Sequence, residues 1–145
     1  MIQHELMNYT MVGVDSHKHS HTLVFTDCFA RELGAMVISS IPSEFDAFIK
    51  EATKKYLIQN TKFCFGMEDT THYGRTLTHF LLEKKHMVKI VNANLVASET
   101  KANNNLKKSD YIDAFSCARI LISRFELLPI ARVNDELFVF NLKVG

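Results

Sequence analysis

The 145 residues are 47% apolar and 23% charged, and 17 basic residues against 16 acidic ones leave a net charge of only +1. These values suit one core-bearing globular domain and exclude a disordered polyelectrolyte or a histone-like basic binder. Five Gly, two Pro and no apolar run near the roughly 18–20 residues of a membrane span exclude collagenous, low-complexity and membrane architectures. Residues 10–15 (TMVGVD) read as a short buried strand that ends in an acid. Residues 20–27 and 34–41 are two further β-rich runs, and the short links predict an antiparallel meander of three strands. Pro42 and Ser43 open a helix, Pro suiting a first turn and Ser an N-cap, with the register between them open. Phe45, Phe48, Ile49, Ala52 and Tyr56 are spaced for one face of it.

Residues 62–67 (KFCFGM) form a fourth strand, followed by Glu68. A helix over about 72–85 turns Tyr73, Leu77, Phe80 and Leu81 inward, with Thr70, Thr71 and His72 as candidate caps. The nearly all-apolar run 87–91 reads as a fifth strand covered on both faces. Residues 93–100 look helical, whereas 101–107, with three successive Asn, favour a loop because Asn side chains compete for backbone hydrogen bonds. Ser109 is placed to cap a helix at 110–124 that is apolar on several sides, and so deeply buried. The tail ELFVFNLKVG is apolar and reads as a chain cut short of its next element. The order β-β-β-α-β-α-β-α-α is that of the ribonuclease H-like α/β fold, a mixed five-stranded sheet with helices on both faces. MIQHELMNYT lacks the pattern of a signal peptide, and Cys28, Cys64 and Cys117 are too few and too scattered for a disulfide framework. A cytoplasmic protein without a membrane association is therefore expected.

Four acids fall at one predicted sheet edge: Asp15 after strand one, Glu68 after strand four, and Asp110 and Asp113 three apart on one face of the last helix. Converging carboxylates repel unless a cation neutralises them, and hard oxygen donors without Cys favour Mg²⁺ or Mn²⁺. Two such ions could activate a nucleophile and stabilise the leaving oxygen in phosphodiester chemistry. Any one of these acids alone is equally a turn residue or a first-turn acid favoured by the helix dipole; joint placement carries the reading. Asp69 should face the other way.

At these residues a resemblance emerges. VGVDSHK (Val12 to Lys18), GMEDTTHYG (Gly66 to Gly74) and above all KKSDYIDAFSCARIL (Lys107 to Leu121) resemble the DEDD transposases of the insertion sequence 110 and 1111 group. That family's Lys-Thr/Ser-Asp-x-x-Asp-Ala signature is matched by Lys108-Ser109-Asp110-Tyr111-Ile112-Asp113-Ala114. The likeness covers about residues 10–130 and implies a RuvC-like domain in which Asp15, Glu68, Asp110 and Asp113 are catalytic and bind divalent metal. It further implies RNA-guided DNA recombination, with DNA and a structured guide RNA as partners and a homo-oligomeric full-length enzyme. A second, C-terminal domain would carry a nucleophilic serine; residues 1–145 would be the RuvC-like domain alone and inactive in isolation. DnaQ-like exonucleases are disfavoured because His17 stands where they place a Glu, and actin-like kinases because Ser16-His17-Lys18 supplies no phosphate-cradling Gly. A RuvC-type Holliday-junction resolvase and a non-catalytic nucleic-acid-binding or oligomerisation module remain the alternatives.

His17, His19 and His21 alternate and would share the solvent face of an extended strand, with His17 nearest Asp15 and His72 another candidate near the site. From Lys84 to Lys108, six Lys and one Glu leave an excess of five positive charges, the best candidate for nucleic-acid backbone contacts. Within it Lys101, Lys107 and Lys108 are the expected nucleic-acid-binding residues, Lys108 the strongest because it adjoins Asp110; the rival reading is a solvated face. Tyr73 and Tyr111 are expected at the edge of the core rather than as base-stacking residues.

Overall fold

The structure, a computed structural model, describes residues 5–68, 72–103 and 110–132. Its order is β1 (Tyr9–Ser16), β2 (Ser20–Thr26), β3 (Glu32–Ser39), a 3₁₀ turn (Pro42–Glu44), α1 (Phe45–Tyr56), β4 (Lys62–Met67), α2 (Arg75–Glu83), β5 (Met87–Ile90), α3 (Ala93–Asn103) and α4 (Asp110–Ser123). The five strands make one mixed sheet in the order β3-β2-β1-β4-β5. The hairpin pairs of β1 to β3 are antiparallel, while β1, β4 and β5 run parallel. This is the mixed α/β sheet that the sequence order predicts. Past α4 the chain returns to the free edge of β5, where Ile90 N–H donates to the Pro129 carbonyl and Ala131 N–H to that of Val88.

Strand alternation divides the core in two. Val12, Val14, Leu23, Phe25, Phe63 and Phe65 meet α1 and α2 on one face. Met11 and Cys64 meet α3 and α4 on the other, through Val96, Cys117, Ile120 and Leu121. Gly13 lies on this second face, and a Cβ built on it would stand only 1.9 Å from the Ala114 carbonyl oxygen. Helix α4 therefore rests directly on the backbone of β1. Gly66, the register partner of Gly13 on β4, widens the same seat beneath Leu121.

Several boundaries differ from the expectation for physical reasons. Pro42 sits in the first position of the 3₁₀ turn and Ser43 makes no cap, so the fixed φ of proline sets the start. Helix α2 begins at Arg75 with Gly74 as N-cap and no side-chain cap, shorter than the expected 72–85. Helix α3 runs on to Asn103, so helical propagation overrides the loop preference of Lys101 to Asn103, the first Asn of the run included. The expected cap Ser109 and the apolar tail lie outside the described residues.

Candidate metal centre

The site is built from the ends of three elements. Along β1, Met11, Gly13 and Asp15 point to the α4 face, and the last of them breaks the apolar alternation with a carboxylate that is only 8% exposed. The parallel register of β1 and β4 ends at Val14↔Met67, which sets Asp15 and Glu68 at the next level. Asp110 and Asp113 occupy the first turn of α4, where the helix dipole favours acids. Because α4 sits on Gly13, this turn arrives over the end of β1.

His17, in the turn after β1, ties the centre together. Its Nε2 is 2.7 Å from Asp15 Oδ2 and 2.9 Å from Asp110 Oδ1. The three donor atoms lie within 4.8 Å of one another. Burial raises the Asp15 pKa, and the Asp113 and Asp110 charges push the same way against the hydrogen bond from His17. The His17 pKa is raised in turn, chiefly by its hydrogen bond to Asp15. Cys117, one turn beyond Asp113, is buried beneath the group. Burial drives its thiol pKa up, and the carboxylates of Glu68, Asp15 and Asp113 add to the rise. Glu68 and Asp113 therefore belong to the same electrostatic neighbourhood as Asp15. Such carboxylate crowding, with one imidazole to offset it, fits a divalent cation. Asp15 and Asp110 would hold the ion, and the group of donors within 4.8 Å of one another includes neither Asp113 nor Glu68, which add negative charge nearby; when bound, the ion would supply Lewis-acid stabilisation of phosphate oxygens.

The histidine expectation is corrected. His17 and His19 lie in the β1–β2 turn, whereas His21 is fully buried in β2, its Nδ1 2.8 Å from Ser16 Oγ. The turn breaks the alternation, so the three do not share a solvent face. Tyr73 and Tyr111 are also not core, being 53% and 39% exposed. Tyr111 instead hydrogen-bonds Glu32 on β3 and stacks on Phe115, which the i, i+4 spacing of α4 could have signalled. The basic run is dispersed. Lys89 is buried, donating to the Phe125 carbonyl over that residue's ring. Lys84 and Lys85 line a cleft with Tyr9, Lys62 and Met87 at the starts of the parallel strands, the opposite end of the sheet from Asp15. Lys101 lies in α3, and Lys107, Lys108, Asp69, Thr70 and Thr71 fall outside the described residues. His72 is exposed just before α2.

Among the described residues no helix is long and apolar enough to cross a membrane. A family model described as a transposase, that of the DEDD transposases of the insertion sequence 110 group, matches residues 12–142. No curated protein matches the chain.

Proposed function

This chain belongs to the DEDD transposases of the insertion sequence 110 group, and we propose that it forms their RuvC-like metal-binding domain, acting in RNA-guided DNA recombination. The family implies action on DNA. The finer reading assigns the catalytic metal site to Asp15, Glu68, Asp110 and Asp113, with Mg²⁺ or Mn²⁺ as the ion. What supports it most is one observation: oxygens of Asp15 and Asp110, from elements far apart in sequence, converge on a single nitrogen at 2.7 and 2.9 Å. In this reading the buried Asp15 fixes one wall of the site, while α4 brings a second and third carboxylate to it. DNA phosphates are oriented there, and a serine outside the matched residues supplies the nucleophile. Lys101, Lys107 and Lys108 contact nucleic-acid backbone beside the site, a guide RNA selects the DNA, the working enzyme is a homo-oligomer and it acts in the cytoplasm.

The test uses the purified chain with Mg²⁺ or Mn²⁺. Either ion should raise the melting temperature through preferential binding to the folded state, and Asp15→Asn should abolish the rise. With duplex, single-stranded and four-way-junction DNA, residues 1–145 are expected to bind without cleaving, because this reading places the nucleophilic serine outside them. Efficient junction cleavage that disappears in Asp113→Asn would assign the domain to a self-sufficient resolvase instead. An unchanged metal response in Asp15→Asn would refute the shared site.

A further inference from the structure

Resting on the metal reading above, we propose that His17 Nε2 is itself a metal donor, which makes the centre a mixed nitrogen–oxygen site selective for Mn²⁺-type ions over Mg²⁺. Donors in adjacent positions of an octahedral ion bound at about 2.1 Å stand about 3.0 Å apart. The Nε2 distances of 2.7 Å to Asp15 Oδ2 and 2.9 Å to Asp110 Oδ1 match two such edges. All three atoms also fall within the 4.8 Å span that one ion can bridge. A single N–H reaches both oxygens only as a bent, shared hydrogen bond, whereas an ion among the three atoms would engage each donor fully.

The position is also built. His17 N–H donates to the Ser20 carbonyl at 2.8 Å, closing the β1–β2 turn. Ser40 N–H donates to the His19 carbonyl and Ser40 Oγ to that of Lys18, so the end of β3 braces the same turn. Ser16 Oγ is engaged by the buried His21 and does not turn toward the carboxylates. The backbone therefore delivers the imidazole, two residues after Asp15, to the oxygen cluster. Chemistry sets the consequence. Imidazole nitrogen is a ligand for first-row transition ions, among which Mn²⁺ binds most weakly but also accepts carboxylate oxygen, whereas Mg²⁺ keeps to oxygen and water. A tetrad of carboxylates alone would carry no such preference.

Calorimetric titration with MnCl₂ or MgCl₂ and pulsed electron paramagnetic resonance of the Mn²⁺-loaded chain test this. The wild type should bind Mn²⁺ more tightly than Mg²⁺ and show ¹⁴N coupling of a directly bound imidazole. His17→Ala should lose that coupling and at least about tenfold in Mn²⁺ affinity, since even an outer partner of a metal ligand is worth about 10–100-fold, and should shift Mg²⁺ affinity less. His17→Gln, which keeps a polar group of similar reach, should also lose the coupling. Mn²⁺ bound in an Asp15-dependent manner without ¹⁴N coupling would overturn the nitrogen donor and leave the carboxylate site standing. Coupling that persists in His17→Ala would overturn it likewise. If wild type binds neither ion, the metal reading and this inference fall together.

Discussion

Gly13→Ala tests whether the centre depends on the close seat of α4. A Cβ at residue 13 would stand 1.9 Å from the Ala114 carbonyl oxygen and 2.5 Å from the Ala118 nitrogen, both backbone atoms that no rotamer change can remove. Restoring an ordinary contact of 3.4 Å requires α4 to withdraw by about 1.5 Å. Overpacking of this kind costs about 1–3 kcal/mol, and a backbone clash belongs at the upper end. For a domain of this size, about 3 kcal/mol lowers the melting temperature by about 10 °C. The same withdrawal carries Asp110 and Asp113 away from Asp15 by more than the roughly 0.5 Å that a functional site tolerates. Gly66→Ala is the control: its nearest new contacts are side-chain atoms of Leu121 and Val91 at 3.2–3.3 Å, which can yield by tenths of an ångström. Thermal melts with and without Mn²⁺ should therefore show a large loss and a blunted metal response in Gly13→Ala, and neither in Gly66→Ala. Equal behaviour of the two variants would refute the reasoning.

Other outcomes follow from particular side chains. Burial holds the His21 pKa down to about 4, so the unfolded chain takes up the proton first as pH falls. Stability is thus full above the unfolded value of 6.5 and declines toward 4, by about 2 kcal/mol at pH 5, and urea unfolding of His21→Leu should lack this component. Identical pH dependence in both proteins would exclude His21 as its source. Lys89→Met should cost about 1–3 kcal/mol because the Phe125 carbonyl loses its buried partner, while DNA affinity stays unchanged. A fall in DNA affinity without a fall in stability would return Lys89 to the nucleic-acid surface. Replacing Lys101, Lys107 and Lys108 together by Ala should flatten the dependence of log affinity on log salt; an unaltered slope would make that segment a solvated face.

The strand order and the division of the core were legible because they rest on periodicity. Met11, Gly13 and Asp15 alternate with Val12 and Val14, and the structure assigns the two sets to different helices. The nearness of Asp15 to Asp110 was legible for a related reason: a strand end and a helix start fall at one edge once the topology is fixed. What sequence could not give depends on the path of a turn or on tertiary partners. His21 looked equivalent to His17 and His19 until the turn at residues 17–19 separated them. Lys89 looked like part of a basic surface, because nothing local announces that Phe125, far along the chain, will offer it a carbonyl. Tyr111 carried the i, i+4 relation to Phe115 in plain view, but its bond to Glu32 joins residues 79 apart.

The two faces of the sheet also solve different problems. The face toward α1 and α2 is filled with large rings, including Phe25, Phe45, Phe63 and Phe65, which bury much area at ordinary helix–sheet spacing. The face toward α4 meets it through Gly13, Gly66, Cys64, Ala114, Cys117 and Ala118, all small. Small residues bury less apolar area each and so contribute less stability there. They allow the helix backbone to touch the strand backbone, and only at that distance can the short side chain of Asp110 share a nitrogen with Asp15 across the gap. Enlarging Ala118 should therefore weaken metal binding even though it adds apolar area to the core. Ala118→Val, read by the same Mn²⁺ titration, is expected to lower affinity; undiminished affinity would detach the site from the packing beneath it.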